Sequence, residues 1–197
     1  MKIWGLTGSI GMGKSTAAGA FQRLRVPVFD ADDAVHEMQG PQGRLIPEIE
    51  RHFPGTTGPL GVDRQALGAR VFGDEAAMKK LEAIVHPAVG EERRRFIDSL
   101  GAAPLVVLDI PLLFETGGSA HVDRIVVVSA DAATQRDRVL ARPGMTTAKF
   151  AAILEKQTPD AEKRARAHHV IDTSTSVSDT REQVRALIAC LLGQPRR

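Results

Sequence analysis

Five short apolar runs punctuate the chain, and each closes on a polar or acidic residue. Ile3, Trp4 and Leu6 end at Thr7, Val26-Pro27-Val28-Phe29 at Asp30, and Leu105–Leu108 at Asp109. A fourth runs over Asp123–Ser129, and His168–Asp172 forms the last. Runs without polar alternation read as strands buried on both faces, the signature of a parallel sheet. Pro27 cannot donate to a ladder, so it belongs near a strand start or at a place without a partner.

The intervening segments carry helical periodicity. Residues 33 to 99 are mostly helical, far more chain than a crossover needs. Gly40-Pro41 ends a first helix, and Arg44–Phe53 forms a second in which Pro47 must sit in the first turn or bend it. The segment 54–59 reads as loop. Asp63 caps a helix bearing Leu67, Val71 and Phe72; Asp74 caps another bearing Met78, Leu81, Ile84 and Val85. His86-Pro87 is expected to end that helix, and a charged one to run from Ala88 to Leu100. Beyond the fourth strand, Asp131 caps a helix on which Gln135, Arg138 and Arg142 share a face. A turn at Pro143-Gly144-Met145 leads to a helix capped by Thr146, and a third begins at Thr158-Pro159. An amphipathic helix with Val184, Leu187, Ile188, Leu191 and Leu192 closes the chain, stopped by Gly193. The pattern predicts one α/β domain over 1–197. Its core is 1–32, 101–134 and 167–197, with a helical insert at 33–100 that would hold an acceptor and a helical lid at 135–166.

Composition narrows the partners. A net charge of +2 and an aromatic content of 4% without tyrosine argue against nucleic acid. No apolar stretch approaches membrane-spanning length, and Lys14 interrupts any leader-like start. The single cysteine, Cys190, excludes an internal disulfide and suits a reducing, cytoplasmic setting; it reads as a small buried hydrophobe. The oligomeric state is not fixed; a monomer is expected, with weak self-association left open.

The chemistry is concentrated at the amino terminus. Gly8, Gly13, Lys14 and Ser15 fit G-x-x-x-x-G-K-[ST] between a strand and a helix. Such a loop converges backbone N–H groups on a phosphate chain. Lys14 would reach the terminal phosphates and the Ser15 hydroxyl would bind Mg²⁺. Asp30 and Asp32 follow the second strand, at the edge where open α/β sheets bind ligands. In extended backbone they would point the same way, one ordering metal water and the other taking a proton; the plain alternative is helix capping. Asp109 has the Walker-B form and would hold Mg²⁺. Ile110–Glu115 is an apolar shelf or simple core. His86 taken alone is more often a helix-end residue. The lid arginines could stack on adenine and offset phosphoryl charge, or form a solvated face. His168-His169 lacks zinc-site spacing.

The ordered segments GLTGSIGMGKST, VFDADD, LEAIVHP, VVLDIPLLFE, TQRDRVLAR and AEKRARAHHVIDTS resemble the dephospho-coenzyme A kinase family from Ile3 to about Leu192. The resemblance implies a three-layer P-loop kinase fold and ATP-dependent phosphorylation of the ribose 3′-hydroxyl of dephospho-CoA. Gly8 to Thr16, including Gly11, Met12, Gly13, Lys14 and Ser15, would carry the ATP phosphates. Asp32 would be the catalytic base, and His86, Leu113, Phe114 and Glu115 would lie beside the acceptor. Arg138 and Arg142 would belong to the ATP lid, Arg138 acting catalytically with Lys14. The chain departs from the family's usual pattern at Ser9 and Met12, where the family often has Gly and Ser, at Ala152, and in the 172–175 loop. Another small-molecule kinase of this architecture is the nearest rival, and a regulatory ATP-binding module a more distant one. A GTPase is excluded, because the chain has no Asn for a guanine-reading Asn-Lys-x-Asp.

Overall fold

The computed structural model describes residues 1–191. Its elements follow the apolar runs closely in the first unit, Met1–Val28 with Ala102 onward. Strand β1 (Lys2–Thr7) leads through the glycine loop into helix α1 (Lys14–Arg23), and β2 (Val28–Asp30) carries the chain out of this unit. The carbonyl of Pro27 accepts from Val107 N at 2.9 Å. The proline sits just before its strand, where its missing donor costs nothing.

The second unit, Phe29–Gly101, is helical apart from one hairpin. It comprises α2 (Ala31–Gln39), α3 (Ile46–His52), β3 (Thr57–Gly58), β4 (Gly61–Val62), α4 (Arg64–Val71) and α5 (Glu75–Ser99). Asp63 and Asp74 cap α4 and α5 through their carboxylates, as their positions predict. Arg44 ties the start of this unit to α5 through Glu91 at 2.8 Å, and the Phe29 and Phe96 rings meet at 5.5 Å between centroids.

Three expectations fail here. Residues 57–62 form an antiparallel hairpin, Thr57 opposite Val62, rather than plain loop. Phe72 does not pack with Leu67 and Val71 but stands 78% exposed. Pro87 does not end a helix: α5 runs unbroken for 25 residues with the proline inside it. A proline there removes one ladder bond and crowds the preceding turn, at about 3 kcal/mol. Packing of α5 against α2, α3 and α4 offsets that cost.

The first unit resumes with β5 (Leu105–Asp109), a 3-10 turn at Gly118–His121, and β6 (Arg124–Ser129). Helices α6 (Ala132–Leu140), α7 (Thr147–Glu155) and α8 (Asp160–Arg166) precede β7 (His169–Asp172) and α9 (Val177–Leu191). Asp131 and Thr146 cap α6 and α7, as read from the sequence. Leu192 and Gly193, expected to complete the last helix, lie outside the described residues. Cys190 is exposed rather than buried, because α9 turns that position away from Val184 and the core.

The sheet order is β2-β5-β1-β6-β7. Parallel pairing places β1 between β5 and β6, with Leu6 opposite Asp109 on one side and Val126 on the other. Alternate residues of β6 serve opposite layers. Val126 and Val128 pack with Trp4, Phe21 of α1 and Val184 of α9, while Ile125 and Val127 pack with Leu113 and Phe114. Both faces are therefore covered, which is why the strand sequences show no polar alternation. The three layers are those expected of a P-loop kinase.

Candidate active site

The site grows from the carboxyl end of β1. Thr7 is buried and donates its hydroxyl to the Pro111 carbonyl at 3.1 Å. At Gly8 the backbone runs against β6. A Cβ there would lie 2.3 Å from Val128 Cγ2 and 2.8 Å from the Val128 carbonyl oxygen, so only glycine fits. Met12 N bonds back to the Ser9 carbonyl at 3.1 Å, closing the turn. Gly13 then adopts φ 82, a left-handed conformation, directly before α1. No side chain caps α1, and Thr16 N bonds back to the Gly13 carbonyl at 3.0 Å, so the first-turn N–H groups of Lys14 and Ser15 remain for an anion at the positive end of the helix.

The two departures inside the loop are harmless. Ser9 has no positive φ, so it bears no strain where the family often has glycine. Met12 is 3% exposed, and its sulfur accepts from Ala130 N at 3.0 Å. Its side chain is core, its N–H and carbonyl are taken by Ser9 and Thr173, and it does not line the cleft beside the loop.

Lys14 Nζ lies 2.6 Å from Asp109 Oδ1, with the Asp109 side chain 2% exposed. The strand register explains the meeting, since Asp109 sits opposite Leu6, just where β1 gives way to the loop. Without a phosphate, the ammonium neutralises a buried carboxylate. A cleft of about 310 Å³ opens beside the loop, and Gly11, Gly13, Ser15, Thr16, Arg138 and Arg142 all line it. Its other wall is formed by Thr173, Thr175, Val177 and Thr180; sequence reasoning singled out the 172–175 loop only as a departure from the family, and Val177 and Thr180 not at all. Their one signal was position: they follow the carboxyl end of a parallel strand. Arg138 Nη2 donates to the Thr173 carbonyl at 2.6 Å.

The segment after Asp109 behaves mainly as core. Leu113 is completely buried, so its side chain offers no shelf; Phe114 is 8% exposed and covered by the Arg166 guanidinium 4.4 Å from its ring centroid. Glu115 Oε1 receives Thr158 N at 2.8 Å and Lys163 Nζ at 2.9 Å, with the lysine side chain wholly buried. Burial pushes the Glu115 carboxyl up, but the bonds from Lys163, its own backbone and Thr158 outweigh this and hold it below the usual range. The pair anchors α8. A depressed carboxylate contributes stability above its unfolded value and loses it as pH falls through the folded one. Lys163→Met, which strands that carboxylate, should cost about 3 kcal/mol near neutrality in denaturant melts. The deficit should shrink in acid, where Glu115 is protonated in both proteins; a pH-independent gap would contradict the ion pair.

In the second unit, Asp30 Oδ1 caps α2 by accepting Asp32 N at 2.8 Å and Asp33 N at 3.1 Å. Asp32 is thus in the first helical turn and exposed, not in extended backbone. The two-residue spacing therefore does not align the carboxylates as an extended strand would; the cap holds Asp32's backbone instead. His86 stands exposed in mid-α5, one position before Pro87, rather than at a helix end. Among the described residues no cluster of three His, Cys, Asp or Glu could hold a metal unaided. A phosphate-bound cation needs less from the protein: the Ser15 hydroxyl and the buried Asp109 carboxylate fit it.

Comparison with known proteins agrees with this geometry. The sequence profile of the family described as Dephospho-CoA kinase matches residues 2–179. A Dephospho-CoA kinase of Novosphingobium aromaticivorans is 60% identical over 189 residues, covering 96% of this chain and 94% of that protein. A crystal structure from Thermus thermophilus superposes with a TM-score of 0.84 at 36% identity, covering 96% of this chain and 97% of that one. The fold is shared with a Dephospho-CoA kinase from Campylobacter jejuni at a TM-score of 0.67 and 22% identity, covering 96% and 97% of the two chains. With a profile match over residues 2–179 and a relative 60% identical along almost its whole length, the chain belongs to the dephospho-CoA kinase family.

Proposed function

We propose that this protein transfers the γ-phosphoryl group of ATP to the ribose 3′-hydroxyl of dephospho-CoA, giving coenzyme A and ADP. The observation that carries the reading is the 310 Å³ cleft in which the glycine loop, the first turn of α1 and two arginines face one space. Family membership supplies the acceptor.

Phosphoryl transfer asks a protein for alignment and charge stabilisation more than for covalent chemistry. The loop amides hold the phosphate chain, and Lys14 exchanges Asp109 for the terminal phosphates. Ser15 and Asp109 would hold Mg²⁺, which when bound offsets phosphate charge. Asp30 already caps α2 with Oδ1, which leaves its second oxygen for any part in ordering metal water. Arg138 and Arg142 place positive charge beside the transferred group. Asp32 takes the proton from the acceptor hydroxyl. By their places in the family's pattern His86, Leu113, Phe114 and Glu115 would serve the acceptor, although the Leu113 side chain is core and those of Phe114 and Glu115 also hold Arg166 and Lys163. The reaction suits a cytoplasmic monomer working on small molecules. No helix among the described residues is long and apolar enough to cross a membrane.

Incubation with Mg-ATP and dephospho-CoA should give coenzyme A, read as an 80 Da mass gain, roughly one phosphoryl unit. Nucleosides and nucleoside monophosphates offered instead should give no product. Preferential phosphorylation of one of those would replace this reading with a nucleotide-kinase one.

A further inference from the structure

Two side chains outside the glycine loop grip its carbonyls, and neither belongs to the phosphate motif. Thr173 is 3% exposed, and its hydroxyl donates to the Met12 carbonyl at 2.7 Å. The same oxygen accepts from Arg138 Nη1 at 3.3 Å, while the Thr173 carbonyl accepts from Arg138 Nη2 at 2.6 Å. Gln135 is 7% exposed, and its Nε2 donates to the Ile10 carbonyl at 2.8 Å. On the other side of that residue, Ile10 N donates to Gln157 Oε1 at 3.1 Å.

Peptide geometry turns these bonds into a statement about the cradle. All peptide bonds of the described residues are trans. In a planar trans peptide, the carbonyl of one residue and the N–H of the next point in opposite directions. Fixing the Met12 carbonyl toward Thr173 therefore turns the Gly13 N–H the other way. Fixing the Ile10 carbonyl toward Gln135 does the same for the Gly11 N–H. Gly11 and Gly13, at φ 78 and 82, both line the cleft. Glycine peptides flip easily, so without such braces the loop would sample orientations that aim carbonyl oxygens at an anion.

We propose that Thr173 and Gln135 are positioning residues for nucleotide binding: they aim the Gly13 and Gly11 amides into the cradle, and Thr173 also orients the Arg138 guanidinium. The inference rests on the reading of this loop as the ATP-phosphate site. It assigns work to a threonine in the 172–175 loop, one of the places where the chain departs from its family's usual pattern.

Thr173→Val keeps the side chain's shape and removes its hydroxyl; Thr173→Ser keeps the hydroxyl. ATP affinity by calorimetry, KM and kcat for both substrates, and melting temperature would be measured for each. Thr173→Val should weaken ATP binding and raise KM for ATP by about tenfold, leave KM for dephospho-CoA unchanged, and lower kcat through Arg138. Thr173→Ser should restore most of the ATP affinity. Gln135→Met should reproduce the ATP effect without involving Arg138, and stands in should Thr173→Val fold poorly. A lower melting temperature with ATP affinity unchanged would overturn the proposal, since a purely structural threonine behaves that way. If the wild-type protein itself binds no ATP, the phosphate-site reading falls first.

Discussion

Lys14→Ala should lower kcat by about a thousandfold or more, the loss expected when a charge aimed at a transferring phosphoryl group is removed. The structure adds a second consequence. Lys14 is the cation beside Asp109, at 2.6 Å, and that carboxylate is 2% exposed. Breaking a buried ion pair by removing its cation costs about 3–5 kcal/mol in comparable cases. The variant should therefore be both inactive and less stable, and saturating ATP should stabilise it much less than it stabilises the wild type. Lys14→Arg separates the two effects. It keeps the charge beside Asp109 and should recover most of the stability, but a forked guanidinium does not reproduce the lysine's point charge, so turnover stays low. A Lys14→Ala enzyme retaining more than a tenth of wild-type kcat would remove the lysine from the chemistry.

Asp32→Asn should show the opposite balance. Asp32 is exposed in the first turn of α2, and its backbone is held by Asp30 whatever side chain it carries. Loss of a negative charge near a helix N-terminus costs about 0.3–1 kcal/mol, so folding should change little. Asparagine has the same shape but cannot accept a proton. A positioned general base is worth about 10²–10⁴-fold, and the loss should appear in kcat at saturating substrates with ATP affinity almost untouched. Equal losses in kcat and ATP affinity would mean that Asp32 serves binding rather than proton transfer.

The strands and the phosphate loop were legible because each rests on a short-range rule. Continuous apolar runs signal strands covered on both sides, and glycine at positions 8 and 13 answers a close approach and a left-handed turn. Capping aspartates 63, 74 and 131 were equally plain. What stayed hidden depends on partners distant in sequence. The length of α5 is set by neighbours that carry it through Pro87, against a local rule that stops helices there. The hairpin at 57–62 consists of two-residue strands, too short for any periodicity to show. Leu113 looks the same in sequence whether it faces a ligand or the core. Thr173 carries no motif, and its role follows from lying 161 residues from Met12 yet 2.7 Å from its carbonyl.

The register of the sheet also bears on how the protein comes into being. β1 is made before β5 and β6, yet its ladder partners begin at Leu105 and Arg124. At cellular elongation rates of about 5–20 residues per second, the nascent strand waits roughly 5–20 s before a partner leaves the ribosome. For that interval Ile3, Trp4 and Leu6 form an unpaired apolar edge, the kind of segment that chaperones shield. The helical unit, encoded between β1 and β5, has its whole sequence available first. The phosphate-gripping end of the enzyme thus takes shape after the helical unit, although its strand is synthesised before it.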